Sequence, residues 1–168
     1  MRVAVTGTPG TGKTTAVDAV DTGLDVVHLN DVIKREELTT GHDEDRDTLV
    51  ADIDALDDWL ADRDDVLFES HLAHLFDADR IVVLRCRPDK LEDRLTERGE
   101  SPDSAAENAE SEALDLILSE TVNRHGEESV YEIDTTDRSP ESVADAIEAV
   151  LTGEREPSAG TVSFVDYL

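Results

Sequence analysis

Residues 2–17, RVAVTGTPGTGKTTAV, decide the fold. After Arg2 the run Val3, Ala4, Val5 and Thr6 is apolar and β-branched, which reads as a strand. Gly7, Gly10 and Gly12 then break it, and Lys13, Thr14 and Thr15 open a helical stretch. Gly7-x-x-x-x-Gly12-Lys13-Thr14 fits the phosphate-binding loop in full, in the strand-then-helix context that the motif requires. The glycines let consecutive backbone N–H groups turn inward on a β-phosphate, and the helix N-terminus adds its partial positive charge. Lys13 is spaced to reach the β- and γ-phosphates, the Thr14 hydroxyl to bind Mg²⁺, and Thr15 to donate to the α-phosphate. A chance glycine-rich turn would lack that context. The glycine order also excludes the G-x-G-x-x-G dinucleotide fingerprint. Gly10, Gly12, Lys13, Thr14 and Thr15 are therefore the candidate nucleotide-binding residues, with ATP and Mg²⁺ as the implied ligands.

Outward from the loop, short β-branched runs alternate with helical patterns, the mark of βα units around a parallel sheet. Strands are expected near 2–6, 25–29, 65–69, 80–86 and 129–133, giving an α/β fold on a five-stranded parallel sheet. Leu49, Ile53, Leu56 and Leu60 recur at helical spacing beside Trp59, which predicts an amphipathic helix over 47–63. Another helix is expected over 88–98, ended by Gly99, and a longer one after Ser101-Pro102, a capping serine before proline. Ser139-Pro140 starts the last helix by the same chemistry. Beyond Gly153 the Pro-, Gly- and Ser-punctuated segment reads as an extended tail docked through Phe164 and Tyr167.

The chain of 168 residues is long enough for one compact domain. Its 42 acidic residues stand against 15 basic ones, a net charge of −27, and the only lysines are Lys13, Lys34 and Lys90. A duplex-binding surface should be basic, so direct nucleic-acid binding is not expected. Apolar runs such as RIVVLRC (80–86) and DVLFES (65–70) recur too regularly for a disordered acidic chain. A folded protein adapted to high salt, where screening within a few ångströms makes such charge tolerable, explains the composition and suggests a halophilic archaeal source. The lone Cys86 excludes an internal disulfide and a cysteine-built zinc site. A strand follows Met1 at once and no apolar run approaches membrane-spanning length, so the expectation is a cytoplasmic protein without a membrane partner.

A phosphate-loop protein needs a carboxylate at the end of a neighbouring strand for the magnesium shell. Glu69, after Val66, Leu67 and Phe68, is that candidate. His71, two residues on, either positions a water or acceptor group or caps a short helix. His28, His42, His74 and His125 have no mutual spacing that suggests a metal site. Charge building on a transferred phosphoryl group needs arginines above it, usually on a mobile lid. Arg94 and Arg98, four apart on one helix face before a glycine, are the catalytic candidates, against the commoner fate of pairing with Asp93, Glu97 or Glu100. Arg85 and Arg87 are secondary candidates for the same cleft, and Arg138, with Asp137, for the nucleotide base.

Taken in order, TGTPGTGKTT, LNDVIKREEL, GHDEDRD, FESH, VVLRCRPDKLEDRLTERG and ENAESE resemble the adenylate kinase isoenzyme 6 family, small P-loop nucleotide kinases also implicated in small ribosomal subunit maturation. The resemblance covers about residues 1–151. It implies a doubly wound P-loop NTPase (nucleotide kinase) fold with a domain over 1–152, an acceptor-binding insertion about 30–63, a short lid about 98–110, and a tail over 153–168. It implies ATP and AMP as substrates, ATPase activity, and a basic small-subunit ribosomal protein as a partner. It places Asp31 in the acceptor region, opens the lid with Arg94 and Arg98, and matches Asn108 to an asparagine beyond it. The family more often has aspartate at the Glu69 position and carries a lid lysine where SPDSAA (101–106) has none. For the dianionic phosphate of AMP, Lys34, Arg35 and Arg46 are the only local cations in a mostly acidic segment. Two further readings remain beside the kinase: an ATPase that switches an assembly factor on and off a basic ribosomal protein, and a kinase of another small acceptor.

Overall fold

The computed structural model describes residues 1–44 and 48–168. The chain runs β1 (Arg2–Thr6), α1 (Lys13–Asp18), β2 (Asp25–His28), α2 (Leu29–Arg35), β3 (Thr39–Asp43), β4 (Thr48–Ala51), α3 (Ile53–Ala61) and β5 (Val66–Glu69). It continues through β6 (Arg80–Arg85), α4 (Pro88–Glu97), α5 (Pro102–Ala113), α6 (Leu116–His125), β7 (Val130–Asp134) and α7 (Pro140–Thr152).

Five of the strands form one parallel sheet in the order β2-β5-β1-β6-β7. Each expected strand of this sheet is present, with ends within one residue of its expected place. β1 is central, so the loop that leaves its C-terminal end opens between neighbours on both sides, at the point where the strand order reverses. A parallel sheet must be covered on both faces, and the alternation along each strand divides the core accordingly. Ala4, Phe68, Ile81 and Val83 meet Leu29, Val32, Leu56, Leu60 and Leu118 on one side. Val3, Val5, Leu67, Val82 and Leu84 meet Val17, Val143, Ile147 and Val150 on the other. This is the doubly wound arrangement, with α1 and α7 on one face and α2, α3 and α6 on the other. A smaller cluster of Cys86, Leu91, Leu95 and Ala105 holds α4 and α5 beside the loop.

Two helices differ from expectation. The helix expected over 47–63 begins only at Ile53: Thr48–Ala51 pairs antiparallel with Thr39–Asp43, and Asp47 lies outside the described residues. Local β-branched residues join the hairpin, and the helix starts where the Asp52 carboxylate accepts from Ala55 N at 3.1 Å. Leu49, read as part of the helical stripe, belongs to β4. The long helix after Ser101 breaks at Asp115, whose φ of 57° is left-handed, and resumes as α6. The caps at Ser101 and Ser139 form as expected, each accepting from the N–H three residues on.

The segment after Gly153 folds onto the body. Ser158 N donates to Val130 O, and the N–H groups of Gly160 and Thr161 donate to the Glu132 carboxylate. Phe164 is buried and lies 5.4 Å from the Arg85 guanidinium, whereas Tyr167 only edges against Phe164 and stays exposed. Of the two expected anchors, the phenylalanine is the one that docks. No helix among the described residues is long and apolar enough to cross a membrane.

Candidate active site

The loop between β1 and α1 is shaped by residues that only glycine can fill. Gly10 has φ +93°, and a Cβ there would stand 2.9 Å from Leu95 Cδ2, so the loop lies directly on α4. Gly12, at φ +87°, turns the backbone into α1. Lys13 follows, only 9 % exposed, with its ammonium folded back on the loop: Nζ donates to Gly7 O at 3.0 Å, Thr8 O at 3.1 Å and Thr11 Oγ1 at 3.4 Å. Burial lowers its pKa to about 8, Glu69 opposes that shift, and Arg98 reinforces it. The lysine is thus a buried cation held by the loop's own oxygens.

Val5 of β1 stands in register with Glu69, the last residue of β5, which brings the carboxylate to the loop. Glu69 is buried, and its Oε1 accepts from Thr14 Oγ1 at 3.0 Å. The next residue, Ser70, accepts the Leu72 N–H through Oγ at 3.0 Å and donates to Asn30 Oδ1 at 3.4 Å. His71 is mostly buried, and its pKa is lowered to about 4, first by burial and then by Lys13 and His74. It is neutral at pH 7 and has a lone pair to offer. One cleft is lined by Gly10, Gly12, Lys13, Thr14, Thr15, Glu69, His71 and Arg98, together with Pro9 and Asn30. Most of the expected phosphate-site residues therefore converge.

The arginine pair divides. Arg98, expected beside Arg94, turns into this cleft, while its exposed guanidinium bonds Glu100 at 2.9 Å. Arg94 reaches the other flank of the loop, donating to Gly10 O at 3.4 Å and to Thr135 O and Thr136 O at 3.3 Å. There it lines a second pocket with Thr15, Arg138 and Pro140. Arg138 is braced on Ser142, through Nε to Oγ at 3.0 Å and Nη2 to O at 2.8 Å.

Arg85 is not in the cleft. Its buried guanidinium bonds Glu112 at 3.2 Å, Asp115 at 2.5 Å and Glu132 at 2.8 Å, because its strand end faces α5 and the tail. Glu112 also accepts from the loop's Thr8 Oγ1 and from Cys86 N. Arg87 pairs with Asp89 at 2.6 Å. Burial pushes the Cys86 thiol up to about 11, which leaves it inert. Asn108 donates within its own helix to Ser104 O at 3.0 Å.

Of the residues expected to bind an acceptor, Asp31, Lys34 and Arg35 project from the exposed face of α2 and do not line the cleft; Arg35 bonds its neighbour Glu36. Asn30, one residue earlier, does line it. Arg46 lies outside the described residues.

His28 and Asn30 escaped the sequence reading. His28 Nδ1 lies 2.7 Å from Glu69 Oε1 and Nε2 lies 2.8 Å from Asp18 Oδ1. Burial disfavours its charge, but the two carboxylates outweigh that and raise its pKa. The signal lay in strand ends rather than in histidine spacing: VVH and LFE close β2 and β5, and the parallel register sets His28 opposite Glu69.

Comparison with known proteins agrees with this fold. Residues 3–115 match the family described as an AAA domain. The shikimate kinase of Bacteroides thetaiotaomicron shares the fold, with a TM-score of 0.55 at 20 % identity over 90 % of this chain and 98 % of that one. Fold, loop and relatives define the class, an ATP-dependent phosphotransferase on the P-loop kinase fold. Proteins carrying the name "Putative adenylate kinase" from Natronomonas pharaonis and Halobacterium salinarum are 66 % and 63 % identical over all of both chains. One from Methanocaldococcus jannaschii is 35 % identical over 100 % of this chain and 97 % of its own. The chain belongs to the family of these archaeal proteins, with the AAA domain as its nucleotide-binding body.

Proposed function

We propose that the protein is an adenylate kinase of the isoenzyme 6 family, which transfers the γ-phosphoryl group of ATP to AMP and gives two ADP, with water as a slower acceptor. The observation that carries this reading is the convergence of Lys13, Thr14, Glu69, His71 and Arg98 in one cleft at the end of the central strand. In the transfer, the bond from the γ-phosphorus to the β,γ-bridging oxygen breaks as one to an AMP phosphate oxygen forms, so no covalent enzyme intermediate is needed. The loop N–H groups and Lys13 hold the β- and γ-phosphates in line with the acceptor. Arg98 neutralises charge on the moving group, and closure of the segment about 98–110 excludes water.

Thr14 Oγ1 and Glu69 Oε1, 3.0 Å apart, are hard oxygen donors at the loop and suit Mg²⁺. The ion when bound would supply charge neutralisation at the phosphates. His71, neutral at pH 7, orients the acceptor or a water. Arg94, Arg138 and Thr15, around the second pocket, take the nucleoside end of ATP. Asp31, Lys34, Arg35 and Arg46 bind the acceptor, with the insertion about 30–63 closing over AMP.

A second reading, an ATPase acting on a basic small-subunit ribosomal protein, is favoured by one observation: β3 and β4 hold no lysine or arginine. Such a surface suits a cationic partner better than a phosphate. The composition, acidic throughout, and the absence of a membrane-spanning helix among the described residues fit a cytoplasmic enzyme in high salt.

ATP consumption measured with and without AMP, in molar salt, tests the proposal. AMP should stimulate consumption and yield two ADP per turnover. If AMP adds no ADP beyond background hydrolysis, the adenylate kinase reading fails and the ATPase reading stands.

A further inference from the structure

Glu69 is gripped from two elements at once. Thr14 Oγ1 donates to Oε1 at 3.0 Å, and His28 Nδ1 stands 2.7 Å from the same oxygen. The other ring nitrogen lies 2.8 Å from Asp18 Oδ1. Glu69 as a carboxylate only accepts, so Nδ1 carries the proton it receives, and the ring is held between two carboxylates. Thr14 and Asp18 lie in the first turn and at the end of α1, and His28 and Glu69 close two paired strands. The chain Thr14–Glu69–His28–Asp18 thus ties both ends of the loop's helix to the sheet.

We propose that His28 is a positioning residue for Glu69, holding Oε1 against the loop and fixing the carboxylate plane for the cation that accompanies the nucleotide. The inference rests on the reading of Glu69 as the magnesium carboxylate. A lone threonine hydroxyl leaves the carboxylate free to rotate about its last torsion; a second donor from another strand removes that freedom. Asp18 has a separate part in this. Its carboxylate holds the far nitrogen of the ring at 2.8 Å, so the imidazole is kept from swinging away from Glu69. Glu69 is buried and His28 half-buried, so solvent screens the inner contact less than the outer one.

Calorimetric titration of ADP into the full-length protein, with saturating MgCl₂ and again with EDTA, measures the affinity that the metal adds. His28→Ala should cut that gain about tenfold, the usual effect of losing a group that orients a metal-binding carboxylate, while metal-free ADP binding stays within about twofold. The magnesium concentration for half-maximal phosphoryl transfer should rise in step. His28→Gln, which keeps a donor for Glu69, should recover part of the gain, and Asp18→Ala, which frees the far side of the ring, should lose part of it.

Equal losses with and without magnesium would mean that His28 only braces β2, and would overturn the inference. Glu69→Gln separates the two readings. If it abolishes the magnesium gain while His28→Ala keeps it, positioning by His28 alone is wrong. If Glu69→Gln leaves the gain intact, the metal reading of Glu69 falls and the inference with it.

Discussion

The two sides of the cleft are built differently. On the donor side, Lys13 is buried with its three donors engaged, Glu69 is held by Thr14 and His28, and Gly10 is pressed on Leu95. On the side proposed for the acceptor, Asp31, Lys34 and Arg35 stand exposed on α2, and β3 and β4 form a two-stranded sheet of their own. Preorganised charge acts strongly on a transition state, whereas mobile surface charge is screened and costs entropy to order. The donor side should therefore set the rate and the acceptor side should set only the acceptor's affinity. The sharpest test is Lys13→Ala, for which kcat/KM should fall about 10³-fold in the coupled assay, the scale of losing a preorganised donor to phosphoryl oxygens. A loss of only a few-fold would remove the loop lysine from the chemistry and erase the contrast.

Within the donor side the divided arginines give the next largest effect. Arg98→Ala should lower kcat about 10²-fold and leave ATP affinity within about threefold, because Arg98 lines the same cleft as Lys13 and Thr14. Arg94→Ala should do the reverse, weakening ATP binding about tenfold with a smaller change in kcat, since Arg94 joins the loop's outer flank to the turn after β7. Identical kinetic signatures for the two would contradict the placement of one arginine on each flank.

The third effect is in pH. Lys13, with a pKa lowered to about 8, loses its charge above that value, so kcat/KM for ATP should fall about tenfold per unit above pH 8. Stability should move the other way. Between about 8 and the lysine's ordinary 10.5 the unfolded chain binds the proton that the folded one has released, so this lysine's contribution rises with pH. His71 works on the acid side. It stays neutral down to about 4 in the folded protein but titrates near 6.5 when unfolded, so its share of stability is present above 6.5 and is lost as pH falls through that window. By pH 4.5 the loss is on the order of 2 kcal/mol, and His71→Gln should remove it from the acid limb of a thermal-unfolding series. An acid limb unchanged by that substitution would show that His71 is not held neutral in the cleft.

These contrasts also explain what could be read from the residues alone. The sheet was legible because buried parallel strands are short continuous apolar runs, as in RIVVLR, and the loop because its glycines and Lys13 serve one local geometry. Glu69 was legible as a polar residue ending such a run. The helix expected over 47–63 failed because Leu49 falls at helical spacing by coincidence, and the hairpin partner that claims it, His42, lies seven residues earlier. Arg85 was misplaced because side-chain direction at a strand end depends on which helix packs there, and α5, with Glu112, arrives from far along the chain. His28 was missed for the same reason in reverse: its partner Glu69 is 41 residues away, brought opposite only by strand pairing.

The smallest expected effect belongs to the acceptor side and bears most directly on which group takes the phosphate. Lys34 and Arg35 lie in the last turn of α2, exposed, with Arg35 already sharing its charge with Glu36 at 3.4 Å. Such groups, even when they swing over a bound anion, contribute what surface pairs do, so Lys34→Ala or Arg35→Ala should raise KM for AMP only about two- to fivefold, with ATP affinity unchanged. Asn30→Ala, one turn back and already lining the cleft, should exceed either of them, because its amide is held near Ser70 before any ligand binds. If AMP dependence ignores all three substitutions while hydrolysis of ATP persists, α2 has no part in binding an acceptor phosphate, and the donor side works with water as its partner.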